Sequence, residues 1–292
     1  MMNSNLPFVS IGLPVFNEEK YLKLALDSLL AQDYQNFEII ISDNASTDRT
    51  SKICEEYAKS DKRIKYLLNE SNIGGIQNFN KVFENSSGKY FFWASGHDIR
   101  GVTFLSKCVN LLENNPNVIL CSSDALWIDS YNKIGENLTN AIDTIGLNQI
   151  DRFKKTIQNR GYNEQIYGLI RKDILNKTGL YQKIIGPDLV LINELSLIGE
   201  FAHIEEPLLF IRKLLDYGSW EDYCKKHLKE SVSIKFAFKM CLLLLLENFK
   251  IINTHVKGTK NKISAGLFVF TFLFGTNFDL FLILLKLSIK RK

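Results

Sequence analysis

Short apolar segments alternate with helical patterns over residues 8–121, and this alternation limits the possible folds more than any other feature. Apolar runs of strand length occupy residues 8–15, 37–41, 64–68, 90–94 and 118–121. Between them, apolar side chains recur at helical spacing over residues 18–31, 75–83 and 104–112. A further helical pattern follows the second apolar run and ends at about residue 60. Regular alternation of this kind predicts an α/β fold, with a mainly parallel sheet covered by helices on both faces.

The net charge of +4 hides a difference between two parts of the chain. Residues 1–216 contain 23 Lys/Arg and 27 Asp/Glu, whereas residues 217–292 contain 13 Lys/Arg and 5 Asp/Glu. A change of composition this large indicates a C-terminal segment with a partner of its own. We therefore predict an α/β domain over 1–216 and a basic, apolar, helical C-terminal extension over 217–292.

The segment 39–48 (IIISDNASTD) predicts a binding edge of the sheet. It is a buried strand that leads into a turn rich in carboxylate and hydroxyl groups, with Ser46, Thr47 and Asp48 suited to capping the next helix. Asp43 then lies at the carboxyl end of a parallel strand, where open α/β sheets bind ligands. The alternative is a solvated turn residue with no partner. Asn17 is predicted to cap the helix over 18–31 in the same way.

Two common nucleotide signatures are missing, since neither G-x-G-x-x-G nor G-x-x-x-x-G-K-[ST] occurs after a strand. Instead, residues 9–19 (VSIGLPVFNEE) and 42–48 (SDNASTD) resemble the opening motifs of family-2 glycosyltransferases with the GT-A fold. Residues 72–75 (NIGG), 78–80 (NFN) and 92–98 (FWASGHD) fall where members carry similar segments. The resemblance covers about residues 8–213.

This resemblance implies a GT-A fold and inverting transfer of a sugar from a nucleotide-sugar, usually a UDP-sugar. It implies that Asp43 contacts the base and that the segment from Pro14 to Glu18 lines the nucleoside pocket. The nucleotide-binding residues that it implies are Pro14, Phe16, Asn17, Glu18, Asp43, Asn44, Asn72, Gly74, Asn78 and Ser95. The acceptor is expected to be a cell-envelope or lipid-linked glycan.

The chain departs from the family pattern at the D-x-D motif, which holds the donor diphosphate through a divalent metal. Ser95 and His97 stand at the two acidic positions, and Asp98 follows. Either His97 binds the metal with Asp98 beside it, or Asp98 takes that role after a small shift. The expected cofactor is Mn²⁺ or Mg²⁺, and an imidazole ligand favours Mn²⁺. The alternative is a non-catalytic nucleotide-sugar-binding or scaffold homologue with a degenerate metal site.

Asp188 is the candidate general base, because residues 186–188 (GPD) resemble the family segment that carries it. Inverting displacement needs a carboxylate that takes the proton of the acceptor hydroxyl. The alternative is a helix cap, and one residue can be both. Arg171 and Arg212 are either contacts of the diphosphate or the acceptor, or ordinary surface arginines.

The C-terminal extension contains apolar blocks at residues 241–246 and 263–285. The second is long enough to span a bilayer, but residues 275–277 and Asp279 near its centre disfavour a simple spanning helix. Amphipathic helices on an anionic membrane surface fit better, and helices packed on the α/β domain are the alternative. Five cysteines without C-x-x-C spacing fit a reducing compartment, and no secretory signal is recognisable. Together with the apolar blocks and the basic charge of the C-terminal extension, these features predict a cytoplasmic, peripherally membrane-associated protein. No nucleic-acid partner is expected.

Overall fold

A computed structural model describes residues 6–138, 140–159, 163–213 and 234–272. The first half alternates strands and helices as predicted: β1 (Val9–Val15), α1 (Leu22–Leu30), β2 (Phe37–Asp43), α2 (Thr50–Ser60), β3 (Ile64–Leu68), α3 (Gly75–Glu84) and β4 (Tyr90–Trp93). The second half continues with β5 (Ile99–Arg100), α4 (Phe104–Asn114), β6 (Val118–Ile128), β7 (Ile134–Asn137), α5 (Gln149–Gln158), a 3₁₀ turn (Glu164–Tyr167), β8 (Leu169–Arg171), α6 (Lys172–Leu175), α7 (Pro187–Ile198) and β9 (Glu200–Arg212). Two helices end the described part: α8 (Ile234–His255) and α9 over residues 259–272.

The described strands form one sheet in the order β3-β2-β1-β4-β8-β6-β9-β5, and β7 pairs with the end of β6. The strands β3, β2, β1 and β4 are parallel neighbours, so their carboxyl ends meet at one edge. Antiparallel pairing enters with β8, which joins β4 to β6. The α/β class is therefore confirmed, and every antiparallel pair includes a strand of the second half.

Alternate residues of each strand pack on opposite faces of the sheet, which explains why both faces carry helices. Along β4, Tyr90 and Phe92 point towards α1, α2 and α4, whereas Phe91 and Trp93 point towards α3, α6 and α7. Gly12 on β1 lies against the ring of Phe91, where an added Cβ would come within 2.6 Å of it. Glycine at this position thus lets β1 pack closely against an aromatic core.

A third apolar cluster joins the C-terminal helices to the α/β domain. It combines α5, α7, α8 and α9 through buried side chains such as Phe153, Val190, Ile251 and Val269. The block at 241–246 lies inside α8, as predicted, whereas residues 273–285 of the second block lie outside the described residues. No helix in the described ranges is both long enough and apolar enough to cross a bilayer.

Candidate functional site

The predicted donor-binding residues lie where the parallel strands β1, β2 and β4 end. Residues 16–18 follow β1, Asp43 is the last residue of β2, and residues 95–98 follow β4. The backbone ties these ends together, because Asn44 donates its N–H to the Val15 carbonyl at 2.9 Å. These three segments therefore lie at one edge of the sheet.

Asp43 is fully buried and organises the turn that follows β2. Its Oδ1 accepts the backbone N–H of Ser46 at 2.9 Å. Its Oδ2 accepts the hydroxyls of Ser51 at 2.5 Å and Tyr66 at 3.0 Å. The alternative of a solvated turn residue is wrong, since the protein itself satisfies most of this carboxylate. Its predicted contact with the base stays a prediction.

Ser51 and Tyr66 were not singled out from the sequence. Tyr66 is identifiable in retrospect, because it lies near the end of β3, the strand paired with β2. Ser51 lies in the first turn of α2, one residue after the helix begins at Thr50, and no sequence motif marks it.

A network of amide side chains lies beneath the same edge. Asn78 connects its parts, since its Oδ1 accepts from Ser42 Oγ at 2.7 Å and from Asn69 Nδ2 at 3.1 Å. Asn44 continues the network, with its Nδ2 donating to Asn72 Oδ1 at 3.0 Å and its Oδ1 accepting the Ile73 N–H at 2.8 Å. The network fixes the loop before α3, whose N-cap Gly74 has a φ of 91°. Of these residues, Asn69 was missed, although it directly follows β3.

The loops after β1 and β2 interlock, and this corrects the predicted helix caps. Asn17 does not cap α1, which begins at Leu22 without a side-chain cap. Instead, Asn17 has a φ of 56°, its N–H donates to Ser46 Oγ at 3.0 Å, and its Oδ1 accepts the Thr47 N–H at 2.8 Å. Asp48 serves both loops, because its two oxygens accept the N–H groups of Thr50 and Glu19. Side chains that are suited to helix capping therefore connect the two loops instead.

His97, in the loop after β4, forms a close pair with Glu18, which follows β1. The His97 Nδ1 lies 3.0 Å from Glu18 Oε2. Gly96 permits this approach, since an added Cβ would lie 2.9 Å from Glu18 Cγ. Burial lowers the pKa of His97, but the hydrogen bond that it donates to Glu18 and the charge of Asp98 outweigh this effect, so the pKa of this imidazole is raised. The pair places an imidazole and a carboxylate beside the end of β1.

Asp98 points away from that pair into the protein. Its Oδ1 accepts the backbone N–H of Arg212 at 2.8 Å, and burial raises the pKa of its carboxyl. In the described part of the chain, no three His, Cys, Asp or Glu side chains cluster as a metal site. Of the two predicted metal ligands, Asp98 is thus held by a backbone N–H, whereas His97 pairs with the side chain of Glu18. The assignment of either residue as a metal ligand stays a prediction.

Arg212, at the end of β9, is neither a surface residue nor placed to meet a diphosphate. It is fully buried, and its guanidinium donates to the His97 carbonyl at 2.9 Å and to the Asp129 carbonyl at 2.6 Å. It also stacks on the Tyr21 ring at 4.2 Å. Arg212 therefore fixes the backbone that carries His97. Arg171 is structural as well, since it donates to the carbonyls of Val118 and Leu112.

Asp188 lies in the first turn of α7, half-buried and on a different element from the donor-side residues. Its Oδ2 accepts from Asn163 Nδ2 at 3.0 Å, and α7 has Gly186 as its N-cap with no side-chain cap hydrogen bond. The alternative of Asp188 as a cap is therefore wrong. The partner Asn163 was missed, because nothing in the sequence links it to Asp188.

Sequence comparison matches residues 10–179 to the model of glycosyl transferase family 2, more than half of the chain. An uncharacterized glycosyltransferase of Haemophilus influenzae is 37% identical over 119 residues, which are 41% of this chain and 37% of that protein. An uncharacterized glycosyltransferase of Methanocaldococcus jannaschii is 35% identical over 130 residues, 44% of this chain and 45% of that protein. The chain thus matches less than half the length of these relatives.

Solved structures agree on the fold. Residues 1–349 of S. aureus TarS in complex with UDP-GlcNAc match with a TM-score of 0.66 at 15% identity, covering 92% of this chain and 73% of that one. The mannosyltransferase PcManGT from Pyrobaculum calidifontis, in complex with GDP-Man and Mn²⁺, matches with a TM-score of 0.59 at 13% identity, covering 99% and 75%. With the family model spanning the strands that form the site, the chain belongs to glycosyltransferase family 2.

Proposed function

We propose that this chain is an inverting glycosyltransferase that moves a sugar from a UDP-sugar to a cell-envelope or lipid-linked glycan. The observation that carries the proposal is the single edge at which β1, β2 and β4 end, with Asp43, the amide network and the His97–Glu18 pair side by side. Open α/β sheets bind nucleotides at such an edge. In this proposal, Asp43 accepts a hydrogen bond from the base, and the interlocked loops at Asn17 and Ser46 line the nucleoside pocket.

Asp188 would act as the general base. A carboxylate in the first turn of a helix that is held from the side by Asn163 has a defined orientation, which proton abstraction requires. Asp188 would then take the proton of the acceptor hydroxyl as that oxygen attacks the donor sugar.

A divalent cation would neutralise the charge that develops on the departing diphosphate. The residues present fit such an ion in part: His97 offers an imidazole and Glu18 a carboxylate, whereas Asp98 is committed to the backbone of Arg212. Imidazole suits Mn²⁺ better than Mg²⁺. We therefore expect activity to favour Mn²⁺, and His97→Asp to move the preference towards Mg²⁺. Full activity in excess EDTA would contradict a metal-dependent reaction.

A second candidate is a non-catalytic homologue that binds nucleotide-sugars. It is favoured by the replacement of the two acidic D-x-D positions with Ser95 and His97. Both candidates predict donor binding, and only the enzyme predicts release of a nucleoside diphosphate when Mn²⁺ is supplied.

The test of donor binding is a thermal-shift panel of nucleoside diphosphates and nucleotide-sugars, with and without Mn²⁺. A ligand that binds only the folded chain raises its melting temperature. We expect UDP and UDP-sugars to give the largest shifts, larger still with Mn²⁺. Absence of a shift with every nucleotide would reject both candidates.

Peripheral association with an anionic membrane surface completes the proposal. The excess of lysine and arginine in residues 217–292 supports it, because each such residue near anionic lipid contributes about 1 kcal/mol of attraction. A lipid-linked acceptor would be reached from that surface.

A further inference from the structure

Helices α8 and α9 each have a buried side and an exposed side. The buried side completes the third apolar cluster against α5 and α7, through Leu244, Ile251, Ile252, Val256, Ala265 and Val269. Close contact between the two helices is possible because Gly266 faces the Phe249 ring, where an added Cβ would lie 2.9 Å away. The two helices therefore form one packed unit, and their buried apolar side chains already have a partner.

Polar contacts attach this unit to α7. Asn193 donates to Asn248 at 3.0 Å in a buried position, and Glu194 Oε1 lies 2.9 Å from His255 Nε2. The same helix α7 carries Asp188 in its first turn. The helices α8 and α9 therefore lie between their exposed side and the helix of the proposed base.

The exposed side carries large apolar side chains at helical spacing on both helices. They are between 44% and 63% exposed, three of them on α8 and three on α9: Phe238, Leu242, Leu246, Ile263, Leu267 and Phe270. Spacings of three and four residues place each set along one stripe. A shallow apolar groove lies between the two helices, where Phe249 of α8 meets Lys262, Ile263, Gly266, Leu267 and Phe270 of α9. These side chains stay exposed within the described residues, and an exposed apolar surface of this kind is typical of a contact with a protein or a membrane.

Lysines accompany these stripes. Lys235, Lys239 and Lys250 are exposed on α8, and Lys260 is exposed on α9. Within residues 234–272 the single acidic residue is Glu247, which already pairs with Lys250 at 3.1 Å. Apolar side chains interleaved with lysines match a bilayer surface, which offers acyl chains beneath anionic headgroups.

We propose that the apolar stripes of α8 and α9, with their flanking lysines, form a single face that lies on an anionic lipid bilayer. This inference rests on the membrane association proposed above and assigns it to named side chains. Because the opposite side of the same helices holds α7, docking would bring Asp188 and the acceptor hydroxyl close to the lipid surface. The acceptor of such an arrangement is a lipid-linked glycan rather than a soluble one.

Flotation of the full chain with vesicles tests the proposal. The vesicles contain equal parts of phosphatidylglycerol and phosphatidylcholine, and pure phosphatidylcholine serves as the uncharged comparison. We expect the wild-type chain to float with the anionic vesicles. Leu242→Ser combined with Leu267→Ser should weaken partitioning by about tenfold or more, since two apolar contacts are lost. Lys235→Gln combined with Lys239→Gln should weaken it by about fivefold for each lysine.

The matched control is Val102→Ser, which removes an equally exposed apolar side chain from the α/β domain and should float as the wild type does. Unchanged melting temperatures of all variants would show that the exposed side was altered without loss of the fold. Insertion is checked by Phe238→Trp, whose added fluorescence should be quenched by lipids with brominated acyl chains.

Three results would overturn the proposal. Equal flotation of wild type and stripe variants would assign membrane binding to another part of the chain. Failure of the wild type to float would reject membrane association altogether, while nucleotide-induced thermal shifts would still report on donor binding separately. If the stripe variants lose self-association in sedimentation but float as the wild type does, the partner of this face is a second copy of the chain.

Discussion

Asp43 combines a structural and a proposed functional role in one carboxylate. It accepts hydrogen bonds from Ser46, Ser51 and Tyr66, and it lies at the strand end where the nucleotide is expected. Removing a buried acceptor leaves its donors unpaired, at about 1–3 kcal/mol for each group that finds no new partner.

We predict that Asp43→Ala lowers the free energy of unfolding and weakens UDP binding, each by about 1–3 kcal/mol. Tyr66→Phe is the control, because it removes one donor to Asp43 but keeps the carboxylate, so UDP affinity should change little. Denaturant unfolding and titration calorimetry measure the two quantities. Equal UDP affinity in wild type and a folded Asp43 variant would remove Asp43 from the nucleotide site.

Glu164 is a second buried carboxyl, and its environment predicts a pH dependence. Its Oε1 accepts the Asn140 N–H at 2.6 Å, whereas its Oε2 has no hydrogen-bond partner among the described residues. Burial raises the pKa of this carboxyl, although the hydrogen bond from Asn140 lowers it in part. The contribution of protonated Glu164 to the free energy of unfolding is complete at a pH below the ordinary pKa range of Glu. It is lost as the pH rises through the raised pKa of the folded state.

We therefore predict that Glu164→Gln is more stable than the wild type near neutral pH, by roughly 1 kcal/mol, because it carries no buried charge. The difference should disappear below about pH 3, where Glu164 is protonated in both the folded and unfolded states. Urea unfolding over a pH series gives the comparison. A stability difference that is constant with pH would show that Glu164 does not titrate abnormally.

At the scale of elements, the sequence predicted the strands and helices of the first half well and parts of the second half poorly. Residues of β1, β2 and β4 form continuous apolar runs, because both faces of these strands are buried. The strand β9 was missed, since its centre carries exposed Glu205 and Glu206 before Pro207, which interrupts the apolar pattern. Its partner β6 lies far away in the chain, and pairing of that kind leaves no local signal.

The sequence named candidate residues of the site, but it did not predict which of them contact one another. The resemblance pointed to Asn17 and Asn44, yet the side-chain amides that join the loops depend on neighbours distant in the chain, such as Ser46 and Asn72. Arg212 shows the same limit, because its burial follows from the meeting of β9 with the loop that carries His97. Spacing along the chain does not contain that information.

The contact between α7 and α8 yields a prediction at this scale. His255→Ala leaves Glu194 without its imidazole partner in a buried position, which should cost about 1–3 kcal/mol and lower the melting temperature by several degrees. Turnover should fall as well, since α7 carries Asp188, whereas vesicle flotation should not change. Asn253→Ala, at an exposed position of the same helix, should change neither the melting temperature nor turnover nor flotation. Loss of flotation in His255→Ala would mean that the two sides of α8 are not independent.

For the whole molecule, the third apolar cluster shows how the predicted segments 1–216 and 217–292 relate. Phe153, Val190 and Leu197 lie on one side of the predicted boundary, and Leu244, Ile252 and other buried side chains of α8 and α9 lie on the other. The alternative of helices packed on the α/β domain thus holds for the buried side of α8 and α9, and membrane contact through their exposed side stays a proposal.

We predict that a chain ending at Asp216 is strongly destabilised. Each large apolar side chain removed from the cluster takes away about 1.5–3 kcal/mol, against a typical total stability of about 5–15 kcal/mol. Thermal unfolding should show a much lower melting temperature or no cooperative transition. A truncated chain that melts at the wild-type temperature would show that residues 217–292 are an independent appendage.

The central claim is that this molecule transfers sugar from a nucleotide donor by means of Asp188. Phosphorus NMR of the full chain with UDP-sugars, Mn²⁺ and a lipid extract as the acceptor source measures release of UDP directly. We predict release by the wild type and a loss of turnover of about 10²–10⁴ in Asp188→Asn, with donor affinity unchanged. Asn163→Ala should cause a smaller loss, since it removes only the side chain that orients Asp188. Near-normal turnover of Asp188→Asn would contradict the account.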